Sequence, residues 1–443
     1  MPRNESAALS QPIFSEGDVT PDPARFTTPH PSDSALYKEI GSLLSKEVVA
    51  FNESRLKPDG LYSLQSALGP HGGEISGQIE KTGKIIFHSV GDTGASNQRK
   101  YGNEISVADQ MAADCHNAND TNRPAFLFHL GDVVYDFGES AYYYDQFYDP
   151  FRNYPAPIFA IPGNDDSFIV PHTKPANEPL VAFTRNFCSK KIAVTPEAGS
   201  LHRTAMTQPG VYFALDAPFV RIIGLFSNAL EDPGVISSEK GKWPAVPDYQ
   251  LKFLSAQLRK IKQEKYAGAV LLATHHPPFS YSPQAGSGGA GGNHKGSSDM
   301  LRDIDAICKS AGVYPHAFLS GHAHNYQRFQ RTVSLGAKDF EVPFIVCGDG
   351  GHNVNLLVRS RKGEPSREPP YGLPVDYLDA KPAVPSKGLV LKHYDDRNYG
   401  YLRITVDKSR LKIGFQHVSA SSLMQTRVDL VTVDLASHKV VAN

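Results

Sequence analysis

Five short stretches of the chain set a metal-ligating side chain beside a glycine, a proline or a second donor. They are Asp92 in GDTG, Asp132 and Tyr135 in GDVVY, Asn164 in GNDD, His275 in THHP, and His322 with His324 in GHAH. Carboxylate, imidazole, amide and phenol donors without a thiolate suit first-row di- and trivalent ions such as iron, manganese and zinc better than soft Cu(I). The number of donors points to two ions. Two ions about 3.5 to 4 Å apart offset charge on an attacked phosphoryl group, and binding lowers the pKa of water from about 16 to about 7, so hydroxide is at hand near neutral pH. Such a pair needs a bridging carboxylate. Asp132 is the candidate, because Gly131 beside it permits close backbone approach.

A Gly-Asp pair by itself is usually a turn, since Asp bonds its neighbouring backbone and Gly supplies positive φ. What raises these above turns is that five such blocks occur in order along the chain. From Ile85 onward, short apolar runs end in polar or Gly-rich turns and alternate with amphipathic segments: IIFHSVGDTG, ISVADQMAADC, AFLFHLGDVVY, PIFAIPGNDD, FVRIIGLFSN, the helix over Tyr249 to Ile261, AVLLATHHPPF, the helix over Met300 to Ala311, and AFLSGHAHNY. This alternation predicts an α/β domain with its active groups at the carboxyl ends of strands. The runs GYLRITVD, RLKIGFQHV and LVTVDL predict further strands near the end of the chain.

In this order, GDTG, GDVVY, GN, HHP and GHAH resemble the five metal-binding blocks of the calcineurin-like metallophosphoesterases. Tyr135, three residues after Asp132, resembles the purple acid phosphatase branch, as do CGDGG at Cys347 to Gly351 and GYLRITV. The resemblance implies a four-layer α/β sandwich of two mixed sheets flanked by helices. It also implies Asp92, Asp132, Tyr135 and His324 on a ferric ion, and Asp132, Asn164, His275 and His322 on a second ion, Fe(II), Zn(II) or Mn(II). The activity implied is hydrolysis of a small phosphorylated substrate, with a phosphomonoester expected first. A phosphodiester is the enzymatic alternative, and a non-catalytic module on the same fold is the other. One departure stands out, because Asp165 occupies the position where the family usually has a histidine that helps protonate the leaving group. Asp165 and then His276 are the candidate proton donors, ahead of His294 and His316, with Asn164, His276 and His294 as substrate contacts. Arg328 is a further candidate phosphate contact, and His352 in GGHN reads as a loop residue.

The remaining features bound the problem. Lys and Arg number 45 against 46 Asp and Glu, a formal net charge of -1, so no overall field favours nucleic acid or an anionic membrane. Cys115, Cys188, Cys308 and Cys347 form no CxxC and read as buried thiols. No apolar stretch is long enough for a membrane span, and no leader pattern is visible, so a cytoplasmic location is expected. Residues 1–82 read as an N-terminal extension, an irregular arm followed by an amphipathic helix over Ala35 to Val49, and residues 83–443 as the catalytic domain. Gly286 to Gly296 reads as a linker or a lid, and the Tyr142, Tyr143, Tyr144 and Tyr148 cluster as core aromatics. Oligomeric state is not legible.

Overall fold

The computed structural model describes residues 8–15, 48–168, 178–231, 233–281, 294–357, 388–419 and 422–442. Most of the expected arm, nearly all of its amphipathic helix and most of the Gly-rich loop lie outside these residues, as does the Pro-rich stretch from Glu364 to Pro385.

Among the described residues, fifteen strands form two mixed sheets. They are β1 Tyr62–Ser63, β2 Lys84–Val90, β3 Leu127–His129, β4 Ile158–Ala160, β5 Phe213–Ala217, β6 Val220–Leu225, β7 Ala269–Thr274, β8 Ala317–Ser320, β9 Tyr326–Leu335, β10 Lys338–Cys347, β11 Leu389–Asp395, β12 Tyr399–Asp407, β13 Arg410–Ser419, β14 Ser422–Asp434 and β15 Lys439–Val441. The first sheet runs β1-β5-β6-β7-β8-β10-β9-β11 and the second β15-β14-β13-β12-β2-β3-β4. Each holds a parallel trio, β6-β7-β8 in one and β2-β3-β4 in the other, and these carry the loops with the candidate ligands at their carboxyl ends.

The trios read in the sequence as unbroken apolar runs because both faces are covered; every residue of β6 and β7 is buried. Between the sheets, Phe128 and Phe159 pack on Phe213, and Tyr326 stacks on Phe415 with ring centroids 4.1 Å apart. The helix Gln98–Asn117 packs on β12 and β13. On the other sheet, Tyr249–Gln263 packs on β6 and against the helix Ser298–Ala311. This is the four-layer α/β arrangement that the alternation and the resemblance led us to expect. Gly83, at φ 76°, ends the helix Gly72–Thr82 in a left-handed cap and sends the chain into β2. That helix and the short β1, paired parallel with β5, have no clear periodic signal in the sequence. All four cysteines are buried and free, and no helix among the described residues is long and apolar enough to cross a membrane.

Candidate metal centre

The loops leaving β2, β3, β4, β7 and β8 converge where the two sheets meet. Asp92, Asp132 and His322 sit just past their strands with φ of 58°, 55° and 66°, a left-handed conformation uncommon for non-glycine residues. Close approach explains the glycines. A Cβ on Gly163 would fall 2.0 Å from Asp132 Oδ1, and one on Gly131, at φ 102°, would meet His275 Nδ1 at 2.6 Å.

The donors form two groups. Asp92 Oδ1, Tyr135 Oη and His324 Nε2 make a closed triangle with edges of 3.1, 3.2 and 3.4 Å. In the second group, Asn164 Oδ1 lies 2.9 Å from His275 Nε2 and 3.0 Å from His322 Nδ1, and His275 Nε2 lies 3.3 Å from Asp132 Oδ2. Ligands about 2.0 to 2.2 Å from one ion stand roughly 3 to 3.5 Å from each other. Both groups therefore have the edge lengths of a coordination shell. Asp132, His275 and His322 offer donors within 4.8 Å of one another, and the buried His322 Nε2 has no hydrogen-bond partner. The donor set fits the ions expected from it.

Each carboxylate keeps one oxygen pinned and the other turned to the donors. Asp92 Oδ2 accepts from the His322 backbone N–H at 2.7 Å, and Asp132 Oδ1 accepts from that of Asp165 at 2.9 Å. Asp166, the second acidic residue of GNDD, does not face the donors; it accepts backbone N–H groups of Val133, Val134 and Gly163, locking the second block to the third. Tyr135 is held by a reciprocal pair with Gln146, whose Oε1 accepts from the Tyr135 N–H at 2.8 Å and whose Nε2 donates to its carbonyl at 2.7 Å. Gln146 has no signal in the sequence.

So much buried negative charge needs an opposing cation, and in the metal-free chain His275 supplies it. Burial acts to lower the pKa of His275, but Asp132 and Asp92 outweigh it and raise it to about 9. Burial likewise acts to raise the pKa of Asp132, and the charge and hydrogen bond of His275 outweigh it, holding that carboxyl below its ordinary value. Asp92, with less such support, is pushed up by burial.

Around this core the other candidates divide. Asp165 lies at the site, with Oδ2 accepting from Asn164 Nδ2 at 2.9 Å and Oδ1 without a partner. Burial raises its pKa, and Asp132, Asp136 and Glu231 add to the rise. His294 covers both groups, its ring 4.7 Å from those of His322 and His324. Glu231 has no local pattern in the sequence that singles it out. Its Oε1 lies 3.6 Å from His294 Nε2, and its Oε2 accepts from Asn164 Nδ2 at 3.3 Å.

The geometry turns two candidates away from the donors. His276, expected as a proton donor and substrate contact, has both ring nitrogens engaged, with Ser227 Oγ at 2.8 Å and the Leu230 carbonyl at 2.5 Å. Burial lowers its pKa to about 3. Arg328 is bound through Nε and Nη2 to Asp429 at 2.6 and 2.8 Å, so its charge is already matched within the second sheet.

Residues 89–326 match the family model of the calcineurin-like phosphoesterases, and the chain belongs to that family. It is also similar to purple acid phosphatase 21 of Arabidopsis thaliana, at 24% identity over 162 residues, 36% of this chain and 31% of that protein. The match thus spans about a third of the plant protein. Among solved structures, PhoD matches with a TM-score of 0.46 at 13% identity, over 81% of this chain and 72% of that one. GAP50, the anchor in the inner membrane complex of Plasmodium, matches with a TM-score of 0.45 at 11% identity, over 78% of this chain and 89% of that one.

Proposed function

We propose that the chain is a phosphoesterase working with two metal ions, hydrolysing a phosphomonoester as a purple acid phosphatase does. The observation that carries this is the pair of donor groups, with edges of 2.9 to 3.4 Å, built from five loops of two sheets. In this reading Asp92, Tyr135 and His324 hold a ferric ion, Asn164, His275 and His322 hold Fe(II), Zn(II) or Mn(II), and Asp132 serves both. When bound, the ions supply hydroxide near neutral pH and offset charge on the phosphoryl group.

The chain's own residues do the rest. His294, above both groups, contacts the phosphate together with Asn164. Asp165 holds a proton in its buried setting and gives it to the departing oxygen. Glu231 adds a carboxylate beside Asn164 and His294, close to the position where the family usually has a histidine. That charge disfavours dianions, and it makes a singly charged diester the second reading.

Metal analysis joined to a panel of phosphate mono- and diesters tests the reading. About two ions per chain, a visible absorption band that Tyr135→Phe abolishes, and turnover of monoesters are expected; a protein that hydrolyses no ester with both ions bound would defeat it. Asp165→Asn should depress turnover of alkyl phosphates far more than of aryl phosphates, and equal losses exclude Asp165 as the donor.

A further inference from the structure

His352 is more than a loop residue. Its ring stacks on that of Tyr135 with centroids 3.5 Å apart and planes 21° apart. Its backbone N–H donates to the Asp92 carbonyl at 3.1 Å, so the stack is fixed to the first ligand block. Both ring nitrogens are assigned by their neighbours. Nδ1 lies 2.7 Å from the Gly94 carbonyl and must donate, and Nε2 lies 2.7 Å from Lys100 Nζ and must accept. The imidazole is therefore neutral, and the positive charge behind it belongs to Lys100. Lys100 stands in the first turn of the helix Gln98–Asn117, where its ammonium also donates to Ser96 Oγ at 3.0 Å.

We infer that Lys100 and His352 form an electrostatic backing for Tyr135, lowering the energy of the phenolate electrons and so setting the colour and reduction potential of an iron held by that phenolate. The inference rests on Tyr135 being an iron ligand. A cation close to the ring lowers the donor level more than it would affect an ion bound at the phenolate oxygen. The charge-transfer band is thereby held at higher energy, and the reduced iron is favoured. Lys100 and His352 are positioning residues, acting through Tyr135 without touching substrate.

The test uses the full chain loaded with ferric iron and zinc. Lys100→Met and His352→Phe, the latter keeping a stacked ring but removing the acceptor, should each move the visible band to longer wavelength and lower the reduction potential, with iron content unchanged. Lys100→Arg should return the band toward its wild-type position. Lys100 is only partly buried, so Lys100→Met should leave the fold intact even if His352→Phe does not. A band and potential common to wild type, Lys100→Met and a folded His352→Phe overturn the inference alone. A colourless ferric wild type removes the Tyr135 ligand reading beneath it, and the inference with it.

Discussion

The two sheets bring different chemistry to the seam between them. Asp92, Asp132, Tyr135 and Asn164 follow β2, β3 and β4 of the seven-stranded sheet, whereas His275, His322 and His324 follow β7 and β8 of the eight-stranded one. Oxygen donors thus come from one side and imidazoles from the other. The oxygen side is held mostly by its own backbone, through Asp165 N–H on Asp132 and the Asp166 clamp. The imidazole side is held across the seam. His275 Nδ1 lies 2.9 Å from the Leu130 carbonyl after β3, and the His322 N–H donates to Asp92. Neither sheet carries a complete ligand set, so the site exists only when the sheets are docked, and bound ions would fasten them together.

The largest effect should follow removal of the ligand that serves both groups. Asp132→Asn is expected to cost hydrolysis far more than the ~10 to 100-fold that loss of an outer partner costs a metal site. Gly163→Ala should approach it, because the added Cβ meets Asp132 Oδ1 at 2.0 Å. Steady-state kinetics with metal analysis on each variant checks both, and an Asp132→Asn enzyme within tenfold of wild type breaks the bridging role. Stripping the ions should also lower the melting temperature. Free ion at 100 times its Kd contributes about 2.7 kcal/mol to the folded state. Calorimetry with and without a chelator measures this; a melting point indifferent to chelation in the wild type would show that the ions do not fasten the sheets.

The same division explains how much was legible. The candidate ligands at strand ends lie beside glycines and prolines, so Asp92, Asp132, Asn164, His275, His322 and His324 could be picked out once the five blocks were read together and in order. The α/β alternation was legible as well, apolar runs being what a strand buried on both faces requires. Gln146, Glu231 and the Lys100–His352 pair were not. They act through contacts between loops far apart in the chain, and a single Gln or Lys has no local pattern that separates it from a surface residue. His276 was misjudged because adjacency to His275 in the sequence says nothing of direction. Successive positions leaving a strand point opposite ways, and its ring turned toward Ser227 and Leu230.

Two histidines of the eight-stranded sheet sharpen the comparison at smaller scale. His294 faces the donors and has a carboxylate near it, so His294→Ala should cost about 10 to 100-fold in kcat/KM with little change in stability. His276 is buried with both nitrogens engaged, so His276→Ala should cost about 1 to 3 kcal/mol of stability in denaturant titrations. The reverse pattern, a stable but inactive His276→Ala, would return His276 to the substrate.

The sheets meet a second time without any ligand set, and there the histidines serve the fold. His316, just before β8, stacks on His438, in the turn from β14 to β15, at 4.4 Å and 16°, and His438 stacks in turn on Phe340 at 4.3 Å. His316 Nδ1 accepts the Val270 N–H at 3.0 Å, so that ring is neutral, and His438 Nε2 donates to the Pro315 carbonyl at 3.0 Å. Burial lowers their pKa values to about 4 and about 3. The unfolded chain takes up these protons below pH ~6.5 while the folded chain does not. Their contribution is therefore complete above that pH and is lost progressively as pH falls from about 6.5 toward 4 and then 3. Between pH 7 and 5.5 the loss should be on the order of 1 kcal/mol per histidine. His438→Phe, which keeps the stack and removes one titrating group, should be measurably less acid-sensitive than wild type in denaturant titrations at the two pH values. If the two proteins lose stability equally, this second meeting of the sheets is indifferent to protons.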